Sequence, residues 1–501
     1  MEVITGLLAV FSPFTIFLII GGVIIGVIFG ALPGLTAATA VAVFLPATFG
    51  MSATNGISLL VGLYIGGISG GLVSAILLKI PGTPSSIATC FDGGPMADKG
   101  EAGKALGIGI FTSFVGTILG LIVLVFLSPI IADFALKFGP WEYFAIGVFS
   151  LSLISTLISS SVVKGLTSAV IGLVLSMIGR SAVDAAPRLT FGLREMRGGL
   201  DLLPVLIGLF AIPEILKNCE HYDRNAAKAI KFEMKGLGFS LKEYFSQWFN
   251  IIRSTLIGVG IGILPGIGGS TSNIIAYLAA KNQSKYPEKF GTGIIDGVIA
   301  SETSNNATIG GAMVPLLTLG IPGDGVTALL LGGLLLHGIS PGPLLFINQK
   351  VLVYSIFGAM GVASFAMLFL MYVGIHPLAK ILEVPNHILL PVIMVICVVG
   401  SYTVNNRMFD VITLLVVGIM GYVFEKLDIP LTPIVMGFVL GPLVELNLRR
   451  GLMANKNSFL SIVNSPIAMI FLAIAIVSIV YSIIKGKLRS KAIIADSSKA
   501  I

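Results

Sequence analysis

The chain has 501 residues, 55% of them hydrophobic and only 11% charged, with a formal net charge of +7. Soluble domains carry about 25% charged residues, and between Val3 and Leu78 there is no Asp, Glu, Lys, Arg or His. This excludes a soluble globular protein, and the lack of a dense basic stripe excludes a nucleic-acid binder; the chain reads as an all-α polytopic protein of the lipid bilayer.

In chain order, Phe14 to Ala31 is an apolar run, interrupted by Leu32-Pro33-Gly34-Leu35-Thr36 and resuming to Phe49. A Gly-rich stretch, Ile57 to Leu78, ends at Lys79-Ile80-Pro81-Gly82-Thr83-Pro84-Ser85-Ser86, and a polar loop is expected from Asp92 to Lys104. Ala105 to Ala132 and Tyr143 to Val163 read as full spans, and Gly165 to Gly179 as a short one. Arg180 to Arg197 reads as a loop with four arginines, and Leu202 to Leu216 as a span interrupted by Pro204 and Pro213. The longest polar stretch, Cys219 to Asn250, carries Arg224, Lys228, Lys231, Lys235 and Lys242.

The second portion opens with Ile251 to Leu264, then Pro265-Gly266-Ile267-Gly268-Gly269-Ser270-Thr271, then Asn273 to Ala280 and a basic loop, Lys281 to Lys289. The next stretch holds Asp296, Glu302 and Ser304-Asn305-Asn306-Ala307-Thr308, and breaks at Ile321-Pro322-Gly323-Asp324. Val326 to Leu336 resumes, and His337 to Pro343 is a turn-rich stop. Val351 to Ile375, His387 to Asn405, Val411 to Phe424, Ile429 to Val444 and Ser458 to Ile484 are further spans, before a tail with Lys485, Lys487, Arg489, Lys491 and Lys499. The expected organisation is a first membrane half (1–218), a basic connecting loop (219–250), a second membrane half (251–484) and a basic tail (485–501). The loop and tail are expected on the cytoplasmic side. The Arg180 to Arg197 loop is also basic, yet one span away, and its side is left open. Glu2 without a positive cluster gives no cleavable-signal pattern, so the first apolar segment is expected to be retained. Cys90, Cys219 and Cys397 are far apart and suggest neither a disulfide framework nor a metal site.

The Pro-Gly phrases organise the rest. Pro lacks an N–H and Gly is a poor helix former, so each phrase breaks a membrane helix, which is tolerated only where protein or a water-filled cavity satisfies the freed backbone. The phrases occur twice in matching order: Gly30-Ala31-Leu32-Pro33-Gly34 with Gly262-x-Leu264-Pro265-Gly266, and Gly70-Gly71 before Ile80-Pro81-Gly82 with Gly310-Gly311 before Ile321-Pro322-Gly323. Two repeated halves, expected in inverted topology and with paired broken helices, point to a transporter.

Gly30-Ala31-Leu32-Pro33-Gly34-Leu35-Thr36, Lys79 to Ser86, Asp92-Gly93-Gly94-Pro95-Met96-Ala97 with Lys99-Gly100-Glu101-Ala102-Gly103, Asn305-Asn306-Ala307 and Gly320-Ile321-Pro322-Gly323 together resemble the large permease subunit of tripartite tricarboxylate transporters, the TctA family. The resemblance spans nearly the whole chain. It implies a multi-pass protein of the bacterial cytoplasmic (inner) membrane that takes up carboxylates by symport with an ion. It also implies a small integral-membrane subunit and a periplasmic solute-binding protein as partners. Asp324 departs from the small residue common there, and sets a negative charge beside an anionic substrate.

Half-helices starting after the breaks aim N–H groups and a positive dipole end at a carboxylate. The substrate-binding candidates are therefore Pro33, Gly34, Thr36, Lys79 as a counter-charge, Pro81, Gly82, Thr83, Ser85, Ser86, Pro322, Gly323 and Asp324. The coupling-ion candidates, for Na⁺ or H⁺, are Gly266, Ser270, Thr271, Ser304, Asn305, Asn306 and Thr308, since hard cations take oxygen ligands. Asp296, Glu302 and Asp324 are acids in or beside apolar stretches and thus functional candidates. No cofactor beyond the coupling ion is expected. A passive anion channel is the alternative. Gly67-Ile68-Ser69-Gly70 with His337 is the sole opening for an intramembrane serine protease, against plain small-residue packing. Gly103-Lys104 lacks the upstream Gly and the following Ser/Thr of a phosphate loop.

Overall fold

The computed structural model describes residues 2–157, 161–181, 183–220, 232–233, 236–382 and 386–497, and of 156–157, 386–388 and 485–497 only the backbone. Arg224, Lys228, Lys231 and Lys235 of the basic connecting loop, and Lys499 of the tail, lie outside the described residues. In lipid every backbone polar group must be paired within the protein, and this chain does so as helices. Eight of them, among the described residues, are long and apolar enough to cross a membrane: Pro13–Ala31, Ala53–Leu77, Ala102–Ala135, Leu202–Glu220, Lys350–Ile381, Met408–Lys426, Leu431–Ala454 and Pro466–Ile484.

Two helices form the centre. Ala53–Leu77 is buried along its whole apolar window, and Ile295–Leu319 is buried from Gly297 to Thr318. Glycine lets their neighbours approach at backbone distance, as small residues do in membranes. Pro13–Ala31 lies on Ala53–Leu77 through Gly22, Gly26 and Gly30: a Cβ at Gly26 would stand 2.4 Å from the Leu63 carbonyl oxygen. Trp248–Ile263 lies on Ile295–Leu319 in the same way, a Cβ at Gly258 falling 2.3 Å from the Ser304 carbonyl oxygen. The long Ala102–Ala135 helix packs on Ile295–Leu319, and the long Lys350–Ile381 helix on Ala53–Leu77. Each long helix thus crosses to the central helix of the other chain portion.

Several elements depart from the sequence expectation. The expected loop from Asp92 is a helix, Ile87–Asp98. Asn273 to Ala280 is the middle of a longer helix, Gly268–Gln283. Tyr143 to Val163 is not one span: the helix Pro140–Leu157 precedes a separate one, Val162–Ser176. Pro204 does not interrupt its helix, because it sits in the first turn after the Asp201 cap, where a missing N–H costs nothing. The arginine loop contains a two-residue hairpin pairing Gly179–Arg180 with Pro187–Arg188.

Candidate functional site

The four breaks fall into two geometrically matched pairs. Leu32 ends its helix at φ −78°, ψ 117° and Leu264 at φ −77°, ψ 121°. Gly34 and Gly266 follow at φ +86° and +76°, a left-handed conformation open to glycine. In the other pair, Lys79 (φ 57°) and Gly320 (φ 71°) take the same left-handed position just before Ile-Pro-Gly. Thr83 and Asp324 then cap the resumed helices in the same manner. The Thr83 N–H donates to Ser86 Oγ at 3.3 Å, and the Asp324 N–H to Thr327 Oγ1 at 2.8 Å.

The breaks also nest against one another. A Cβ at Gly82 would lie 2.3 Å from the Gly30 carbonyl oxygen, and one at Gly323 would lie 2.5 Å from that of Gly262. Packing of one broken helix onto the next brings all four resumed helices to a single cavity of about 420 Å³. Its inner walls are Thr36 to Ala38, Thr83 to Ser85, Gly266 to Thr271, and Asp324 to Val326. The opposite wall is Leu209, Phe210, Pro213, Glu214, Glu425, Leu431 and Thr432. Four helix N-termini therefore face one space: those of Ala37–Phe44, of the Pro84–Ser86 turn leading into Ile87–Asp98, of Gly268–Gln283 and of Gly325–Leu336. A helix N-terminus leaves N–H groups short of partners and carries about half a positive charge, which favours an anion; at Gly325–Leu336 the Asp324 carboxylate already caps that end.

Of the expected substrate residues, Thr36, Thr83, Ser85 and Asp324 line this cavity, and so do Gly266, Ser270 and Thr271 from the coupling-ion set. Pro33, Gly34, Pro81, Gly82, Ser86, Pro322 and Gly323 do not; they form the turns behind it. Gly34 is held from outside, its carbonyl accepting from Asn218 Nδ2 at 2.9 Å. Lys79 is corrected. It pairs with Asp98 at 2.5 Å, half exposed, and is no part of the lining.

Ser304, Asn305, Asn306 and Thr308 sit behind the third break, all buried. Thr308 Oγ1 and Ser272 Oγ share a hydrogen bond of 2.7 Å. Asn306 Oδ1 accepts from Ser69 Oγ at 2.8 Å. The Ser304 hydroxyl and both ends of the Asn305 amide have no partner at hydrogen-bond distance among the described residues. Asn305 abuts Gly269 of the lining, so it stands just behind it. The serine-protease pairing fails: His337 packs against Gly56, and Ser69 lies about 20 Å further along the same helix at 1.5 Å per residue.

The sequence reading missed Tyr64, whose hydroxyl donates to Asp324 Oδ2 at 2.5 Å. It also missed Glu214, and Glu425 with its partner Lys217 at 3.0 Å. An acid near the end of an apolar run was the available signal for both glutamates.

A family model described as "Tripartite tricarboxylate transporter TctA family" matches residues 16–436. The chain is 36% identical over 470 residues, 94% of its length and 93% of the relative's, to an Agrobacterium vitis protein described as "Uncharacterized 52.8 kDa protein in TAR-I ttuC' 3'region". A second Agrobacterium vitis protein, "Uncharacterized protein in TAR-II ttuC' 3'region", is 37% identical over 231 residues, 46% of this chain and 95% of that protein. No solved structure matches. With broken helices gathered on one cavity and a family match over most of its length, the chain belongs to the TctA family of tripartite tricarboxylate transporters.

Proposed function

We propose that this protein is the large membrane subunit of a binding-protein-dependent carboxylate importer, driven by a Na⁺ or H⁺ gradient across the bacterial cytoplasmic membrane. The observation that carries this reading is the convergence of four helix N-termini on one cavity of about 420 Å³. Its size suits a small carboxylate. The dipole ends and the Thr36, Thr83, Ser85, Ser270 and Thr271 hydroxyls supply donors for carboxylate oxygens. Asp324 spends its charge on the Thr327 N–H and the Tyr64 hydroxyl, which lessens its repulsion of the substrate.

The matched breaks and the crossed packing of the two long helices support an internal repeat of two halves in inverted topology, and with it alternating access. A small membrane subunit and a periplasmic solute-binding protein complete the system on this reading. The test is uptake by the reconstituted three-component system, with citrate, malate and succinate as substrates and imposed sodium or proton gradients. Accumulation above the outside concentration supports the importer. Uptake that only equalises the two sides, without saturation, would make the protein a channel.

A further inference from the structure

Glu302 is the one acid in the central Ile295–Leu319 helix that is wholly enclosed. Oε1 accepts from Thr89 Oγ1 at 2.5 Å. Oε2 accepts from Ser113 Oγ and from Asn306 Nδ2, each at 3.2 Å. The donors come from the Ile87–Asp98 helix, the Ala102–Ala135 helix and its own helix, and Asn306 is fixed in turn by Ser69 on Ala53–Leu77. All are neutral. The titratable neighbour that faces it is the Cys90 thiol, and no charged side chain does so among the described residues. A bare carboxylate buried this completely is costly without a counter-charge.

The cage is suited to two states of one group. Hydroxyls donate to a carboxylate and can equally accept from a carboxylic acid, so Thr89 and Ser113 satisfy Glu302 with or without a proton by rotating. Asn305 joins this cage to the cavity: it lies beside Glu302, and its amide oxygen faces Gly269 of the lining. We propose that Glu302 is the coupling group, taking up a proton from cavity water on one side of the membrane and returning it to water on the other, past Asn305. The inference rests on the importer reading and names its coupling ion as H⁺.

The test uses the three-component system in proteoliposomes with the membrane potential clamped and labelled citrate, malate or succinate as probe. A pH gradient of about one unit is equivalent to a tenfold concentration ratio for one proton. Wild type should therefore accumulate its substrate several-fold, with proton movement reported by a pH-sensitive dye. Glu302→Gln should bring the accumulation ratio to about one while retaining substrate-for-substrate exchange, which moves no net proton. Glu302→Asp should recover part of the accumulation. Full pH-driven accumulation by Glu302→Gln would overturn the proposal. So would wild-type accumulation driven by sodium with no proton movement, a readout that stands even if the variants fail to assemble. Absence of any carboxylate transport by wild type would instead defeat the importer reading itself.

Discussion

Asp324 divides one carboxylate between two tasks, Oδ1 accepting from the Thr327 N–H at 2.7 Å and Oδ2 from the Tyr64 hydroxyl at 2.5 Å. Removing it with Asp324→Ala should cost about 1 kcal/mol for the lost cap, and more for the orphaned phenol, read as a lower melting temperature in detergent. Asp324→Ser keeps a capping oxygen but still orphans the phenol, so it should recover only the cap's share of the lost stability, and with the charge removed it should lower the KM for carboxylate uptake. Gly269 offers a second probe. A Cβ there would lie 2.7 Å from Asn305 Oδ1 and 3.1 Å from Ser85 Cβ. Gly269→Ala should depress uptake well before it depresses protein yield, since the amide and the serine side chain can shift but the cavity wall then changes shape. Thr83, Ser85 and Thr36 were legible in the sequence because each follows a Pro-Gly break at capping distance. Tyr64 was not, because a lone tyrosine in an apolar run carries no signal and its partner is 260 residues away. Where Lys79 points was not legible: a charge ending an apolar helix looks like a binding residue, but its partner here is Asp98 and it lies outside the cavity lining.

At the scale of elements, the helix Ile87–Asp98 defied its composition. Asp92-Gly93-Gly94-Pro95 reads as loop because Gly and Pro are poor helix formers, yet tertiary bonds outweigh that preference. Asp92 is fully buried and accepts from the Tyr277 hydroxyl at 2.9 Å and from the N–H groups of Gly291, Gly293 and Ile294 at 2.9, 2.8 and 3.0 Å. Gly291 and Gly293 wrap the carboxylate at φ +89° and +99°. Asp92→Ala orphans these donors and should destabilise the protein by at least about 1–3 kcal/mol; Asp92→Asn, which keeps one acceptor, should lose less in the same thermal assay. The long spans were legible from hydropathy, and their mutual packing was legible in part from the glycines. Gly26→Leu should separate Pro13–Ala31 from Ala53–Leu77 at a cost of about 1–3 kcal/mol or more, measurable as loss of monodisperse protein on size exclusion.

Across the whole molecule, the inner half of the cavity comes from the broken helices, and the outer wall from Leu202–Glu220, Met408–Lys426 and Leu431–Ala454. That wall was not legible. Its members lack the Pro-Gly phrases of the inner walls, and nothing in their sequence says which face will meet the cavity. It is joined to itself by ion pairs, Lys217 with Glu425 at 3.0 Å and Lys426 with Glu220. Lys217→Ala frees a negative charge at the lining and should slow carboxylate uptake several-fold, and adding Glu425→Gln should recover much of it. Among the described residues, the wall holds the first break through a side-chain bond, Asn218 to the Gly34 carbonyl. The Asp92 clasp is the opposite case: four donors from residues 277–294 close on one carboxylate contributed by the first portion of the chain. Such a rivet resists parting of the two central bundles at that end, so opening of the cavity should fall to the outer wall instead. Hydrogen exchange in the working transporter should accordingly be fast in residues 202–220 and slow around the rivet.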